Sequence, residues 1–229
     1  RLLVSVTNAA IYLKEEPDNP YLQISSQPAW ELLRKFREIP AAYAHYTFRD
    51  ACGWEPVPAA SLFKDWVKDQ SFAPLVNPDS AKSDFYVLDC SVGSTELGNT
   101  SEYLDPKVFD RRVYGRMADL GVDIAIGRYN EVRSFYTTDA YIIQGNQGPE
   151  WRTVHIGLDI FMEARTEVHA PLAGKVHSFA NNAGDKNYGP TIILEHQTET
   201  GLTFYSLYGH LSLDSLEGLS VGKWIEKGE

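Results

Sequence analysis

A histidine and an aspartate four residues apart are the side chains of this sequence best suited to chemistry. His155 and Asp159 lie in the segment 153–161, in which apolar residues alternate with Thr, His, Gly and Asp. A period of two predicts a β-strand with one apolar and one polar face. Imidazole and carboxylate are both zinc ligands. A zinc site is therefore one interpretation, and ordinary polar residues on a half-buried strand are the other.

A flat strand cannot bring these two side chains to one metal ion. Four residues at roughly 3.3 Å each span about 13 Å, whereas zinc ligands lie about 2 Å from the metal. Gly157 lies midway and allows backbone angles that let a strand bulge or curl. A helix would also bring the pair together, but the β-branched residues and the glycine argue against it. We therefore predict a bent strand whose imidazole and carboxylate converge.

A second segment about fifty residues downstream reads LYGHLS over 207–212 and contains His210. Together with His155-x-Gly157-x-Asp159, it resembles the M23 (LytM/lysostaphin-type) zinc metallopeptidases over roughly residues 135–229. The resemblance implies that His155 and Asp159 are zinc ligands and that His210 is a catalytic histidine. His210 would act as a general base or hold the developing oxyanion. Tyr208 shares the strand face of His210 and could line the substrate cleft, with core packing as the alternative.

The third zinc ligand of that family comes from a His-x-His, which also supplies a second catalytic histidine. None of the six histidines of this sequence forms such a pair, so we expect it beyond Glu229. The implied activity is hydrolysis of a peptide or peptidoglycan-like substrate. A catalytic zinc keeps three protein ligands and a water, polarises the scissile carbonyl and activates the water for attack.

Another resemblance covers the beginning of the chain. The segments PDNPYLQISSQPAWELL (17–33) and AHYTFRDACGWEP (44–56) look like the end of a phosphotransferase module. With WRTVHIGLDIF (151–161) and YGPTIILEH (188–196), they resemble proteins that join an aminoglycoside-phosphotransferase-like kinase, an M23 module and a class III aminotransferase. Pyridoxal phosphate would then belong to a missing C-terminal domain. A degenerate M23 module that binds or spaces without catalysis is the alternative.

The expected fold class is α+β, with three segments. Residues 1–80 form a helical tail, 81–134 a mixed α/β connection, and 135–229 an M23-like all-β domain of the barrel-sandwich hybrid type. Apolar spacing predicts helices at 28–39, with Pro28 in the first turn, and at 106–120, stopped by Gly121. Strands are expected at 85–94 and 122–128, and short strands with turns follow from residue 133.

Composition excludes several classes of function. The net charge of −10 argues against nucleic acid as a partner. No apolar run reaches membrane-spanning length. Cys52 and Cys90 are in no metal spacing and form no disulfide framework, which favours a reducing, cytoplasmic location. The oligomeric state stays open.

Two further alternatives concern other residues. His169, His177 and His196 lie on neighbouring predicted strands and would be candidate ligands if the M23 resemblance were wrong. The segments APLAGKV and VGKWIEKGE also look like the hairpins of biotinyl or lipoyl carriers. Such carriers need a lysine beside a methionine on a tight turn, and neither Met117 nor Met162 has an adjacent lysine.

Overall fold

The computed structural model describes residues 2–76, 84–99, 102, 104–134, 136, 139–145, 148–184 and 186–229. The chain is α+β, which confirms the predicted class. It divides into two compact units, Arg1–Asp69 and Gln70–Glu229. The predicted boundaries near residues 80 and 134 stay predictions.

The first unit is helical. The second helix begins with Pro20, because the Asn19 side chain accepts a hydrogen bond from the Tyr21 backbone N–H at 3.1 Å and caps the first turn. The predicted start at Pro28 is therefore wrong, since Pro28 lies inside this helix. Its end lies one residue before the predicted Ile39, which is extended, as a residue preceding proline prefers. The helices are α1 (Leu2–Glu15), α2 (Pro20–Glu38), α3 (Ala41–Ala51) and α4 (Pro58–Lys68).

Every helix of the described residues is too short or too polar to span a lipid bilayer.

The second unit begins with a strand–helix–strand arrangement. The helix is the predicted one, because Asp105 caps its first turn and Gly121 ends it with a left-handed φ of 65°. The two strands are parallel neighbours and pack with the helix around Leu88, Val113 and Ala125. These elements are β1 (Tyr86–Leu88), α5 (Pro106–Leu120) and β2 (Ala125–Gly127).

The segment 153–161 forms two separate strands, so the predicted single bent strand is wrong. The first of them pairs antiparallel with a strand at 131–132, and the second pairs antiparallel with β2. The apolar face that was expected for the segment 153–161 is not buried as a whole, since Ile156, between the two strands, is 76% exposed. The strands of this region are β3 (Glu131–Val132), β4 (Ile142–Gly145), β5 (Gly148–Trp151), β6 (Val154–His155) and β7 (Asp159–Phe161).

The second unit also contains a four-stranded antiparallel sheet of β8 (Gly174–Asn182), β9 (Gly189–Gln197), β10 (Thr203–Tyr208) and β11 (Trp224–Ile225). The strand order in this sheet is β10-β9-β8-β11. Ala170, Val176 and Leu194 form its buried centre. These strands agree with the short strands and turns predicted from residue 133 onward.

Candidate functional site

His155 and Asp159 converge, as predicted, although two short strands rather than one bent strand bring them together. His155 ends β6 and Asp159 begins β7, so the chain turns between them at 156–158. His155 Nε2 lies 3.4 Å from Asp159 Oδ1. Both side chains are mostly buried, with 17% and 28% of their surface exposed. The pair therefore forms a partly sheltered corner that opens to solvent.

Gly157 leaves room for the imidazole in this turn. A Cβ atom at this position would lie 3.1 Å from His155 Nε2. The φ of Gly157 is not in the left-handed region, so the turn needs a glycine for space and not for backbone conformation. The glycine of the His-x-Gly-x-Asp pattern thus leaves space around the ring nitrogen that faces the aspartate.

The second ring nitrogen of His155 fixes the tautomer. His155 Nδ1 lies 3.2 Å from the backbone carbonyl oxygen of Arg128. A carbonyl oxygen only accepts, so Nδ1 carries a proton and donates it. In the neutral form of the ring the lone pair is then on Nε2, which faces Asp159 Oδ1, and these two atoms could bind one cation.

Asp159 is held from its other side by a buried arginine. Its Oδ2 accepts a hydrogen bond from an Arg133 guanidinium nitrogen at 2.6 Å. Arg133 Nε donates to Glu131 Oε2 at 2.8 Å, and both of these side chains are less than 5% exposed. Burial lowers the pKa of Arg133, but the carboxylates of Asp159 and Glu131 outweigh it and raise that pKa above its ordinary value. Arg133 is therefore a cation at any ordinary pH.

Glu131 connects the site to the parallel strands. Its Oε1 accepts hydrogen bonds from Arg128 Nε at 2.9 Å and from the Cys90 backbone N–H at 3.1 Å. Arg128 also forms an ion pair with Asp89, just after β1. A chain of alternating charges therefore runs from β1 to Asp159.

Gly127 allows this chain of charges to approach β2. It lies opposite Asp159 in the antiparallel pairing of β2 with β7. A Cβ atom at Gly127 would lie 2.8 Å from Asp159 Oδ2 and 2.9 Å from a guanidinium nitrogen of Arg133. Sequence reasoning missed this glycine together with the charged residues around it. Its available signal was the run GRYNEVR at 127–133, which places three charges directly after an apolar strand.

His210 lies just after β10, on the exposed surface. Its backbone is left-handed, with a φ of 56°, and its N–H donates to the Tyr188 carbonyl oxygen at 2.7 Å. Non-glycine residues with positive φ are uncommon and cluster at functional sites. None of the hydrogen bonds or ion pairs of the described residues joins His210 to His155 or Asp159. The catalytic role of His210 stays a prediction.

Tyr208 packs against the buried centre of the four-stranded sheet. Its hydroxyl lies 3.1 Å from Ser206 Oγ, and burial raises its pKa. These contacts favour the packing role over the cleft role, which stays a prediction.

The other histidines of the second unit do not assemble a metal site. His196 is buried, with Nδ1 2.8 Å from the Ala173 carbonyl oxygen and Nε2 2.7 Å from Ser206 Oγ. His177 contacts the ring of Tyr205. Within the described residues, no group of three or more His, Cys, Asp or Glu side chains is placed to hold a metal ion.

Two atoms of the site nevertheless fit zinc. Ligand atoms 2.0–2.2 Å from a tetrahedral zinc are about 3.3–3.5 Å from each other. The 3.4 Å between His155 Nε2 and Asp159 Oδ1 matches that edge. These residues would thus supply two ligands, and a catalytic zinc needs a third.

Comparison with known proteins points to the same part of the chain. Residues 153–229 match the model of Peptidase family M23, which supports the M23 domain expected from the motifs. No curated protein and no solved structure matches the chain. The match includes His155, Asp159 and His210, but Gly127 and Arg133 lie before it.

Proposed function

We propose that residues 153–229 form the centre of a zinc metallopeptidase-like module that hydrolyses peptide bonds. The observation that supports this most is the geometry of His155 and Asp159 within a segment matching Peptidase family M23. Their facing atoms are separated by one edge of a zinc tetrahedron, and their outer atoms are anchored by Arg128 and Arg133.

In this proposal His155 and Asp159 hold the zinc, together with a third ligand that the resemblance assigns to a His-x-His outside this sequence. The bound zinc would polarise the scissile carbonyl and activate a water for attack. His155 binds through Nε2, because Nδ1 donates its proton to the Arg128 carbonyl. Asp159 binds through Oδ1, because Arg133 holds Oδ2.

His210 handles a proton or stabilises the developing oxyanion in the proposed reaction. His210 is exposed to solvent, and its left-handed backbone is an uncommon conformation of the kind that clusters at functional sites. The proposed substrate is a peptide or peptidoglycan-like chain. We further propose, from the resembling segments alone, that the module is joined to a phosphotransferase and to an aminotransferase carrying pyridoxal phosphate.

A non-catalytic M23 module is the second candidate. The Arg133–Asp159 ion pair favours it, because Asp159 already has a buried cationic partner without any metal. In that case the fold would bind or space other domains and would not retain zinc.

Metal binding by the full natural chain that contains this sequence decides between the two. Calorimetry with zinc and metal analysis would be applied to wild type, His155→Ala, Asp159→Ala and His210→Ala. His177→Ala, which changes an exposed histidine outside the site, is the matched control.

We expect one zinc in wild type and in His177→Ala, and none in His155→Ala or Asp159→Ala. His210→Ala should keep the metal and lose peptidase activity. Wild type without zinc would support the non-catalytic module. Loss of zinc from His210→Ala as complete as that from His155→Ala would show that the assigned roles are wrong.

A further inference from the structure

The candidate site is in contact with a buried ion pair that lies before the residues matched to the M23 family. Arg133 and Glu131 are 4% and 3% exposed in their side chains and are joined at 2.8 Å. They follow β2 in the chain, and Arg133 reaches Asp159 across 26 residues of sequence. The family match begins at residue 153 and includes neither of them.

We propose that Arg133, held by Glu131, is a positioning residue that acts through Asp159 and makes it a one-oxygen ligand. This inference rests on the proposed function, because it concerns how the chain presents Asp159 to the metal.

The guanidinium is fixed at two points. Nε is bound to Glu131 and a terminal nitrogen to Asp159 Oδ2, so the planar fork cannot rotate without breaking one of these bonds. Charge-assisted hydrogen bonds of this kind are strong, and burial protects the pair from screening by salt. Asp159 Oδ2 is therefore turned toward the guanidinium, and Oδ1 is the oxygen directed at His155 Nε2.

The contact between Arg133 and Asp159 also has an electrostatic effect, which opposes metal binding. A guanidinium beside a ligand carboxylate withdraws part of the negative charge available to a metal cation. Glu131 compensates, because it adds a carboxylate directly behind the guanidinium. The Arg133–Glu131 pair as a whole is neutral, so Glu131 offsets part of this withdrawal, and the orientation of Asp159 is the effect that the inference concerns.

A variant that removes the ion pair at constant net charge tests this orientation. Glu131→Gln/Arg133→Met replaces both charges with neutral side chains of similar size, a change that buried ion pairs often tolerate. Arg133→Lys is the conservative variant, because it keeps the buried cation but lacks the fork that holds two carboxylates.

Each variant would be made in the full natural chain. Zinc affinity would be measured by competition with a chromophoric chelator, and the visible spectrum of bound cobalt(II) would report the ligand geometry. Thermal unfolding of the metal-free protein would report stability separately. We expect zinc affinity to fall about 10- to 100-fold in Glu131→Gln/Arg133→Met, with an altered cobalt spectrum. Arg133→Lys should lie between this variant and wild type.

A folded Glu131→Gln/Arg133→Met protein with wild-type zinc affinity and cobalt spectrum would overturn the inference. If that variant does not fold, Arg133→Lys decides, because wild-type affinity in Arg133→Lys would overturn the inference equally. The proposed function fails in a different way, namely when wild type and His155→Ala bind zinc alike.

Discussion

A methyl group added at Gly127 tests the close approach of the charged residues to β2. In Gly127→Ala the new Cβ atom would lie 2.8 Å from Asp159 Oδ2, 2.9 Å from an Arg133 nitrogen and 3.1 Å from Asp159 Cβ. Real Cβ atoms essentially never approach a neighbour within 3.0 Å. The carboxylate must therefore move by about half an ångström to reach ordinary van der Waals contact.

The expected cost follows from two opposing terms. Overpacking a well-packed site costs about 1–3 kcal/mol. Replacing glycine by alanine restricts the unfolded chain and recovers about 0.4–1 kcal/mol. We therefore expect Gly127→Ala to lower the free energy of unfolding by about 1–2 kcal/mol, and by more if the Arg133–Asp159 bond breaks.

Urea unfolding of the metal-free chain would measure this change. Gly115→Ala is the matched control in the same compact unit, because its Cβ would meet nothing within 4 Å on the exposed side of α5. Alanine is the better helix former, so this control should be stabilised by about 0.5–1 kcal/mol. A Gly127→Ala protein as stable as wild type would refute the packing of Asp159 and Arg133 against β2.

Three other predictions follow from single residues. Gly157→Ala should weaken zinc binding with little loss of stability, because its exposed Cβ would press only on the His155 ring at 3.1 Å; calorimetry and urea unfolding measure the two effects, and equal zinc affinity would contradict it. A thiol reagent should label the exposed Cys52 in the native chain and reach Cys90 only on unfolding, because burial raises the pKa of Cys90 to about 12; Cys52→Ser should abolish native labelling. Burial raises the pKa of Tyr86 from 10.0 to about 12, so the unfolded chain loses the phenol proton at a lower pH than the folded chain. The contribution of Tyr86 to stability is therefore complete below pH 10 and is lost as the pH rises through 12. Urea midpoints between pH 9 and 12 should fall less steeply in Tyr86→Phe than in wild type.

Much of the fold is written in local signals that the sequence displays. Helix α5 spans 106–120 and ends at Gly121 as predicted, and Asp105 caps its start. A cap and a left-handed glycine act on backbone groups within one turn. The apolar runs of β8, β9 and β10 likewise reveal strands. Pro28 shows the limit of such signals, since a better capped start at Asn19 and Pro20 carried the helix through it.

The motif residues were also visible from the sequence, but not the way in which the chain unites them. Strand β6 pairs with β3 and strand β7 pairs with β2, and these two separate pairings place His155 next to Asp159. Strand pairing is decided by which distant segments bury surface together, and a period of two within nine residues does not contain that information.

The surroundings of the site were decided by tertiary structure. The spacing of His155 and Asp159 is a property of neighbouring residues, so the sequence displayed it. That spacing alone left zinc ligation open, and the resemblance to the M23 family implied it. Arg133 lies 26 residues before Asp159, and Gly127 becomes its neighbour only through pairing of β2 with β7. A buried arginine cannot be told from a solvated one in the sequence, because the path of the folded chain determines its partners and the residues next to it in sequence do not.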